Sequence, residues 1–440
     1  MGYKRQDLDF EGAKNHTKRI DLPSSEAHTT SEYHEASPIK IAVLTQYFPT
    51  SSEPSAGNSA YQTVRLLAER CDLRVFYPQS SYPGLLKPAY SRKKPLDAAW
   101  SPNGVDVRYI QFPALPVVTR PINGHLMAQS LLPHVREFNP DILLNYVIYP
   151  DGFAAIKIGQ ELKIPVVLNA IGSDLNRISD RLCAIFTRYA LRNADFVGAV
   201  SSDLCRTARI LGADADRSRA LLNGCDTSIF QPGDRNSARE SLGIDQNADI
   251  LLYVGRLDHK KGLVELVEAV SQLSLKRPNL HCYMVGDGPD RALIQQAIAR
   301  CNAAALVTRI PSSPASEVAN WMAAANLVTL PSYMEGCPNV IVEALGSGRP
   351  VVATNVGGIP ELMNRSCGRL VPPRDVPALV RALDETLSEH WSAVAISSTH
   401  TRSWADVTDD VYKILSDTLQ TRQAPRKAGE RVAAEQRHAA

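Results

Sequence analysis

Leu330-Pro-Ser-Tyr-Met-Glu335-Gly-Cys-Pro-Asn-Val-Ile-Val-Glu343-Ala-Leu-Gly-Ser-Gly-Arg-Pro350 follows a short apolar run, Asn326-Leu-Val-Thr-Leu330, that reads as a buried strand. Pro338 suits a first helical turn, and Asn339 to Leu345 forms a helix that Gly346 and Gly348 end. Glu335 then hangs in the loop beyond the strand, and Glu343 projects from inside the helix. Between them a helix N-terminus offers free amides and a positive dipole, which favours a phosphate. A ligand with a hydroxylated part, a phosphate part and a second hydroxylated part fits this spacing, and a nucleotide-sugar has that order. For an arbitrary pair, two solvated glutamates near a helix start are the plainer explanation.

The same alternation of short strand and longer helix extends on both sides, the pattern of parallel sheets with crossover helices. Ile39-Lys-Ile-Ala-Val-Leu-Thr45 is followed by strands at Leu73–Tyr77, Asp141–Asn145, Pro165–Asn169, Phe196–Val200 and Arg219–Asn223. After the turn-rich Phe230-Gln-Pro-Gly-Asp234, a second series occupies Ile250–Val254, His281–Val285, Val307–Ile310, Leu327–Leu330 and Pro350–Ala353. The fold class is therefore α/β, with two doubly wound, Rossmann-like domains at residues 38–225 and 226–387 facing each other across a cleft. Residues 1–37, rich in Ser, Thr, His and charge, read as a disordered tail. Residues 422–440, basic and alanine-rich, read as a second, frayed tail.

Composition restricts the function classes. At 440 residues, 44% hydrophobic and 21% charged, the chain is an ordinary soluble protein long enough for two cores. It carries neither an apolar run of membrane-spanning length nor a signal peptide, and a cytoplasmic location is expected. Its eight cysteines are scattered, with no Cys-x-x-Cys, which fits a reducing compartment and argues against a zinc site. Residues 38–225 hold 21 Lys/Arg against 15 Asp/Glu, whereas residues 226–385 hold 15 against 17. A basic first half beside a slightly acidic second half suggests different partners for each. Aromatics make up only 6% and no basic–aromatic stripe appears, so nucleic acid is not an expected partner.

Gly255-Arg-Leu-Asp-His-Lys-Lys-Gly262 lies just beyond a strand. Breaking a sugar–diphosphate bond leaves growing negative charge on the diphosphate, and fixed cations stabilise that transition state above the ground state. Arg256 can hold two phosphate oxygens at once, and Lys261 acts as a movable point charge. A solvated basic loop is the alternative where such a motif stands alone. It does not stand alone here. Gly255-Arg256 with Lys261-Gly262, Gly286-Asp-Gly-Pro289, Glu335 to Glu343 and Gly357-Gly-Ile-Pro-Glu361 form an ordered set. That set resembles the signature of the retaining glycosyltransferases of family 4, which share the GT-B fold. The resemblance runs from about Ile39 to about Leu387.

The resemblance implies catalytic roles for Arg256, Lys261 and Glu335: the two cations contact the donor diphosphate, and Glu335 holds the donor sugar. It implies that Glu343 holds the ribose, that the backbone of Gly336, Cys337, Pro338, Asn339 and Val340 runs along sugar and diphosphate, and that residues 388–421 cross back onto the first domain. Glu361 is assigned only a structural role at a helix start. Gly57-Asn58 stands where the family often has two glycines that admit a donor close to the backbone; Asn tolerates left-handed geometry, so the departure is mild. Gly172-Ser-Asp174 stands where many members have His-Gly-x-Asp, and Ile171 takes the histidine position. A histidine role is excluded there. Asp174 remains on the acceptor or sugar side, with a helix N-cap as an equal alternative. Retaining members are thought to react on one face, the leaving phosphate taking the acceptor proton, so no strong protein base is needed.

No cofactor or metal is expected: Asp214-Ala-Asp216 lies in a charged loop beside Arg217 and reads as solvated. Tyr149 and Asp151 follow a strand and can reach the cleft. With Gly172-Ser-Asp174, this segment is most similar to members that build bacterial exopolysaccharide or teichuronic-acid-like polymers. Expected partners are a nucleoside-diphosphate-sugar donor and a glycan or lipid-linked acceptor. Lys87, Arg92, Lys93, Lys94 and Arg120 beside Leu85, Leu86, Trp100, Val117 and Val118 suggest peripheral attachment to an anionic membrane on its cytoplasmic face, an ordinary basic surface being the alternative. Two other functions share the fold: a nucleotide-sugar epimerase, which needs acid–base groups that Ile171 does not supply, and a non-catalytic nucleotide-sugar-binding protein.

Overall fold

The computed structural model describes residues 38–82, 97–115, 119–176, 178 and 180–438. The readings made at residues 1–37, at Leu85, Leu86, Lys87, Arg92, Lys93 and Lys94, and at Val117 and Val118 lie outside them. The first half runs β1 (Lys40–Leu44), α1 (Asn58–Ala68), β2 (Asp72–Ser81), β3 (Asp106–Pro113), α2 (Asn123–Phe138), β4 (Ile142–Tyr146), α3 (Phe153–Leu162), β5 (Val166–Ala170), α4 (Ser173–Asn176), α5 (Arg181–Asn193), β6 (Phe196–Ala199), α6 (Ser202–Leu211) and β7 (Ser218–Ala220). The second runs α7 (Arg235–Leu242), β8 (Asp249–Val254), α8 (Leu263–Ser274), β9 (Leu280–Val285), α9 (Arg291–Arg300), β10 (Val307–Ile310), α10 (Ala315–Ala324), β11 (Leu327–Leu330), α11 (Asn339–Gly346), β12 (Val351–Thr354), α12 (Ile359–Leu362), β13 (Gly368–Val371) and α13 (Val376–Ser388). Helices α14 (Ala393–His400) and α15 (Trp404–His438) close the chain.

Every ladder among the described residues is parallel, so each strand needs helices on both faces. β1 shows how its sequence meets that demand. Ile41 and Val43 point into the core shared with α1 and α15, while Ala42 and Leu44 point into the core under α2, α3 and α5. The two sheets run β3-β2-β1-β4-β5-β6-β7 and β10-β9-β8-β11-β12-β13. The order reverses between β1 and β4, and again between β8 and β11. At such a reversal the loops beyond two neighbouring strands splay apart and leave a crevice.

Some elements differ from the sequence reading. Edge strands β3 and β13 add to it, because their half-exposed residues lack the continuous apolar run of a central strand. β7 stops at Ala220, and Asn223 instead bonds across to the second half. The backbone of residues 422–438 continues α15 where the sequence suggests a frayed tail: a helix docked on α1 by Val411, Ile414 and Leu415 continues past its docked part. The return to the first half is fixed at Ser403, which lies in a parallel bridge with Cys225; the Cys225 amide donates to Arg402 O (2.9 Å) and the Trp404 amide to Cys225 O (3.2 Å).

Arg239 of α7 anchors the start of the second sheet. Its buried guanidinium donates to Ala324 O (2.9 Å), Gln246 O (2.6 Å) and Asn326 Oδ1 (2.7 Å). Arg239→Ala removes the donor from the Ala324 and Gln246 carbonyls, while Asn326 Oδ1 keeps the Ile250 amide (2.8 Å), at a cost of about 3 kcal/mol. A lowered urea midpoint at unchanged slope is the expected result.

Candidate active site

Arg256 and Lys261 follow β8, and Glu335 follows β11, so the sheet reversal places cations and carboxylate on facing loops. Lys261 Nζ lies 2.6 Å from Glu335 Oε1, and only 9% of the Glu335 side chain is exposed. The Lys261-Gly262 turn makes this contact by pressing on the opposite loop: Gly262 has φ 65°, and a Cβ there would lie 2.0 Å from Pro331 O. A backbone bond from the Tyr333 amide to Lys260 O (2.8 Å) joins the same two loops. Arg256 is exposed, and its side chain makes no hydrogen bond or close ion pair among the described residues, although its charge acts on Asp290. Its carbonyl accepts the Tyr253 hydroxyl at 2.8 Å, which fixes the backbone and leaves the guanidinium available.

The Glu335-Gly336 peptide is held from two sides. A Cβ on Gly357 would sit 1.9 Å from Glu335 O, and the Gly358 amide donates to Gly336 O at 2.8 Å. On the other side Gly336 meets the first half, where a Cβ would come 2.9 Å from Ile171 O. The start of α11 has no side-chain cap, and Pro338 precedes it. Asn339 Oδ1 instead accepts from Asn223 Nδ2 (2.8 Å), which also donates to Cys337 O (2.9 Å). Glu343 sits further along α11, and burial pushes its carboxyl from 4.5 to about 7. Burial also raises the Cys337 thiol to about 12, so it supplies no thiolate.

On the first-domain side the structure revises several assignments. Gly57, not Asn58, takes the left-handed turn (φ 61°), and a Cβ there would meet Tyr47 O at 2.4 Å. Its smallness lets the chain pass close to the Tyr47 backbone. Asn58 is the first residue of α1 and accepts from Gln62 Nε2 at 3.3 Å. Asp174 is not a helix cap. Its Oδ1 accepts the Gly172 (2.9 Å) and Ile171 (3.2 Å) amides, and its Oδ2 the Ile148 amide (3.0 Å), because it lies between two loops with unpaired N–H groups. Burial raises its carboxyl and these amides oppose the rise. Asp151 takes the Gln46 amide at 2.5 Å on Oδ2, while Oδ1 is buried without a partner. Burial, with Asp174 nearby, pushes it from 3.8 to about 7.

Asp214 is held by Arg217 (2.9 Å) in the loop between α6 and β7. Asp258, His259 and Asp290 are a group with metal-ligand atoms within 4.8 Å of one another. Their bonds are local: Asp290 Oδ2 accepts the His259 amide (2.7 Å) and faces its Nδ1 (2.9 Å), and Asp258 Oδ1 accepts the Lys260 amide (3.0 Å). They shape the loop that carries Lys261.

Residues 234–403 match the model of the group 1 glycosyl transferases, and residues 56–224 a glycosyl transferase 4-like domain. The putative teichuronic acid biosynthesis glycosyltransferase TuaC of Bacillus subtilis is 30% identical over 390 residues, spanning 86% of this chain and 94% of that protein. The chain is a group 1 glycosyltransferase. A D-inositol 3-phosphate glycosyltransferase of Frankia alni is 36% identical over 191 residues, 41% of this chain and 47% of that protein. Anabaena HepE in complex with UDP shares the fold, with a TM-score of 0.67 at 19% identity, over 86% of this glycosyltransferase and all of that chain. The two-domain GT-B architecture and membership of the enzyme class follow from these likenesses and the paired sheets.

Sequence reasoning missed the residues by which the halves meet. Glu361 accepts the Ser202 amide on both oxygens (2.7 and 2.9 Å) and the Ser202 hydroxyl (2.6 Å), so it caps α6 of the other half. Asn223 also joins the halves, by donating to Cys337 O and Asn339 Oδ1 beside the start of α11, without capping its amides. A helix starting Ser-Ser-Asp signals a cap but not one supplied from 159 residues away.

Two outcomes test this geometry. Gly262→Ala should move Lys261 off Glu335 and lower kcat/KM at least tenfold, with a much smaller effect for Gly243→Ala, whose Cβ would meet nothing within 4 Å. Because the folded pKa of Glu343 is raised, the native state binds its proton more tightly than the unfolded chain. The associated stabilisation is complete below pH 4.5 and lost as pH rises through about 7. Glu343→Gln should therefore raise Tm relative to wild type at pH 8 but not at pH 4, as read by differential scanning calorimetry.

Proposed function

We propose that this glycosyltransferase moves a hexose from a nucleoside diphosphate to a glycan or lipid-linked acceptor, with retention at the anomeric carbon, in the assembly of a cell-surface polysaccharide. The observation that carries the reading is the line formed by Glu335, the uncapped start of α11 and Glu343, opposite Arg256 and Lys261. Glu343 binds the ribose hydroxyls, the amides of Asn339 and Val340 meet the diphosphate, and Glu335 holds the sugar. An arriving diphosphate offers Lys261 a second anion and loosens its grip on Glu335, whose oxygen then accepts a sugar hydroxyl. As the sugar–phosphate bond breaks, Arg256 and Lys261 neutralise the departing diphosphate, so no metal ion is needed.

Anabaena HepE has been seen with UDP and with UDP-glucose, which supports a nucleotide-sugar donor, and the name of TuaC supports a polysaccharide role. Asp174 spends its oxygens on amides and Ile171 has no proton to transfer. Both facts favour reaction on one face, with the leaving phosphate taking the acceptor proton. Among the described residues no helix is long and apolar enough to cross a membrane.

A panel of nucleotide-sugars assayed by thermal shift identifies the donor, since a bound donor raises Tm by mass action. With that donor, Lys261→Ala and Glu335→Ala should each lower turnover about 10²–10³-fold. Wild-type rates in both variants would sink the site assignment, and a product of inverted configuration by NMR would sink retention.

A further inference from the structure

Three arginines gather where β11 and β12 begin, at the opposite edge of the second sheet from Lys261 and Glu335, which follow their strands. Arg235 and Arg239 lie four residues apart on α7, so they share one face of it. Arg349 stands just before β12; it is 4% exposed and Arg239 2%. Hydrogen bonds bring the three to one place. Arg239 Nε donates to Ala324 O (2.9 Å) at the end of α10, and Arg349 Nη1 to the next carbonyl, Ala325 O (3.5 Å). Arg349 Nη2 donates to Gly233 O (3.3 Å), two residues before Arg235. Gly233 itself lies on the same helix end, where its Cβ would come 3.1 Å from Ala323. Burial, and then the charges of Arg235 and Arg239, push the Arg349 guanidinium down to about 10.

None of the three makes a close ion pair among the described residues. The acids around them are engaged or exposed. Asp249 pairs with Arg277 (3.0 Å) and Asp245 accepts the Asn247 amide (2.9 Å), and both act on Arg239 from a distance. Asp234 caps α7 by accepting the Ser237 amide (2.7 Å), and Glu240 is exposed on the same helix. The carbonyl end of α10 offsets about half a charge. Capping of that end explains the Nη contacts, but it leaves two like charges on one helix face and two buried Nε–H groups, of Arg235 and Arg349, without acceptors. The two hydrogen bonds of Arg349 are also longer than the common N–H···O distance of about 2.9–3.0 Å. Buried charge is normally paired, and an oxyanion would supply both the charge and several acceptors to planar guanidinium forks.

We propose that Arg235, Arg239 and Arg349 form a binding site for a phosphate group, separate from the donor site. The Nε–H groups of Arg235 and Arg349 donate to its oxygens, and Arg239, whose own donors are spent on carbonyls and Asn326, adds charge. Arg235 is half-buried, which leaves a side open to solvent, so the phosphate is either free or the end of an organic ester. The bound anion joins Gly233–Arg235, where the chain enters the second half, to the end of α10 and the turn before β12. It thereby stabilises the second half, whichever donor the enzyme uses.

The experiment is thermal unfolding of the full chain in inorganic phosphate, glycerol 3-phosphate or chloride at equal ionic strength. Wild type should show a rise in Tm that follows a binding curve in phosphate and is missing in chloride, whereas general salt exclusion follows no such curve. Glycerol 3-phosphate separates the sources: a matching rise means that the site takes esters, and none means that it takes the free ion. Arg235→Gln should weaken the apparent phosphate affinity about tenfold or more, the loss of one charge-assisted hydrogen bond. Arg256→Gln with Lys261→Gln should leave that affinity unchanged. In chloride Arg235→Gln should keep or raise Tm, because one of three repelling charges is gone. A lower Tm there would make Arg235 a structural residue and overturn the site. So would the lack of a phosphate-specific rise in wild type, or an unchanged rise in Arg235→Gln. Loss of the rise in the Arg256 and Lys261 variant would overturn it too, since phosphate would then sit at the donor site.

Discussion

The position of one peptide, Glu335-Gly336, governs the rest of the site. Gly357 and Gly358 approach it from the second half, and Ile171 and Gly172 from the first, at distances that leave no room for a Cβ on Gly336 or Gly357. Backbone packed on backbone is stiffer than side chain packed on side chain, because no rotamer is available to absorb a shift. The Glu335 carboxylate therefore leaves a fixed point, and Lys261 can be brought to it by a turn that is itself pinned to Pro331. The ion pair is a product of this close packing more than a cause of it. A pair so shielded must be well made, since an ill-fitting one would not offset its own desolvation.

Much of this was legible in the sequence. The residues that carry charge sit in loops directly beyond apolar strands, and parallel order then forces those loops to one edge of the sheet. Lys261 and Glu335 could thus be placed on facing loops from the sequence, and the structure brings them into contact. The parts that were not legible share a physical character. Asp174 looks like a ligand in its motif, yet its oxygens serve the amides of Ile148, Ile171 and Gly172, and only three-dimensional proximity shows that those amides need a partner. Glu361 reads as a residue of its own helix, whereas its partner Ser202 belongs to the other half. Gly57 was sequence-legible as a special position, and the structure shows that it accommodates the Tyr47 backbone. The edge strands β3 and β13 were invisible for the opposite reason: half-exposed strands carry a weak pattern, and only their ladders reveal them.

The division of labour between the halves also follows from the elements. In the second half, the loops beyond β8 and β11 carry the exposed Arg256 and the Lys261–Glu335 pair, while Glu343 is buried in helix α11. In the first half, Asp151 and Asp174 are buried and their burial raises both carboxyls. Those acids organise loops through backbone amides.

The chain passes between the halves at Cys225 and again at Ser403, and the two passages are hydrogen-bonded to each other in parallel. The two crossings are thus tied at one point, while the Glu361–Ser202 and Gly336–Ile171 contacts join the halves elsewhere, so the halves are held at separate places by backbone and side-chain bonds of different kinds.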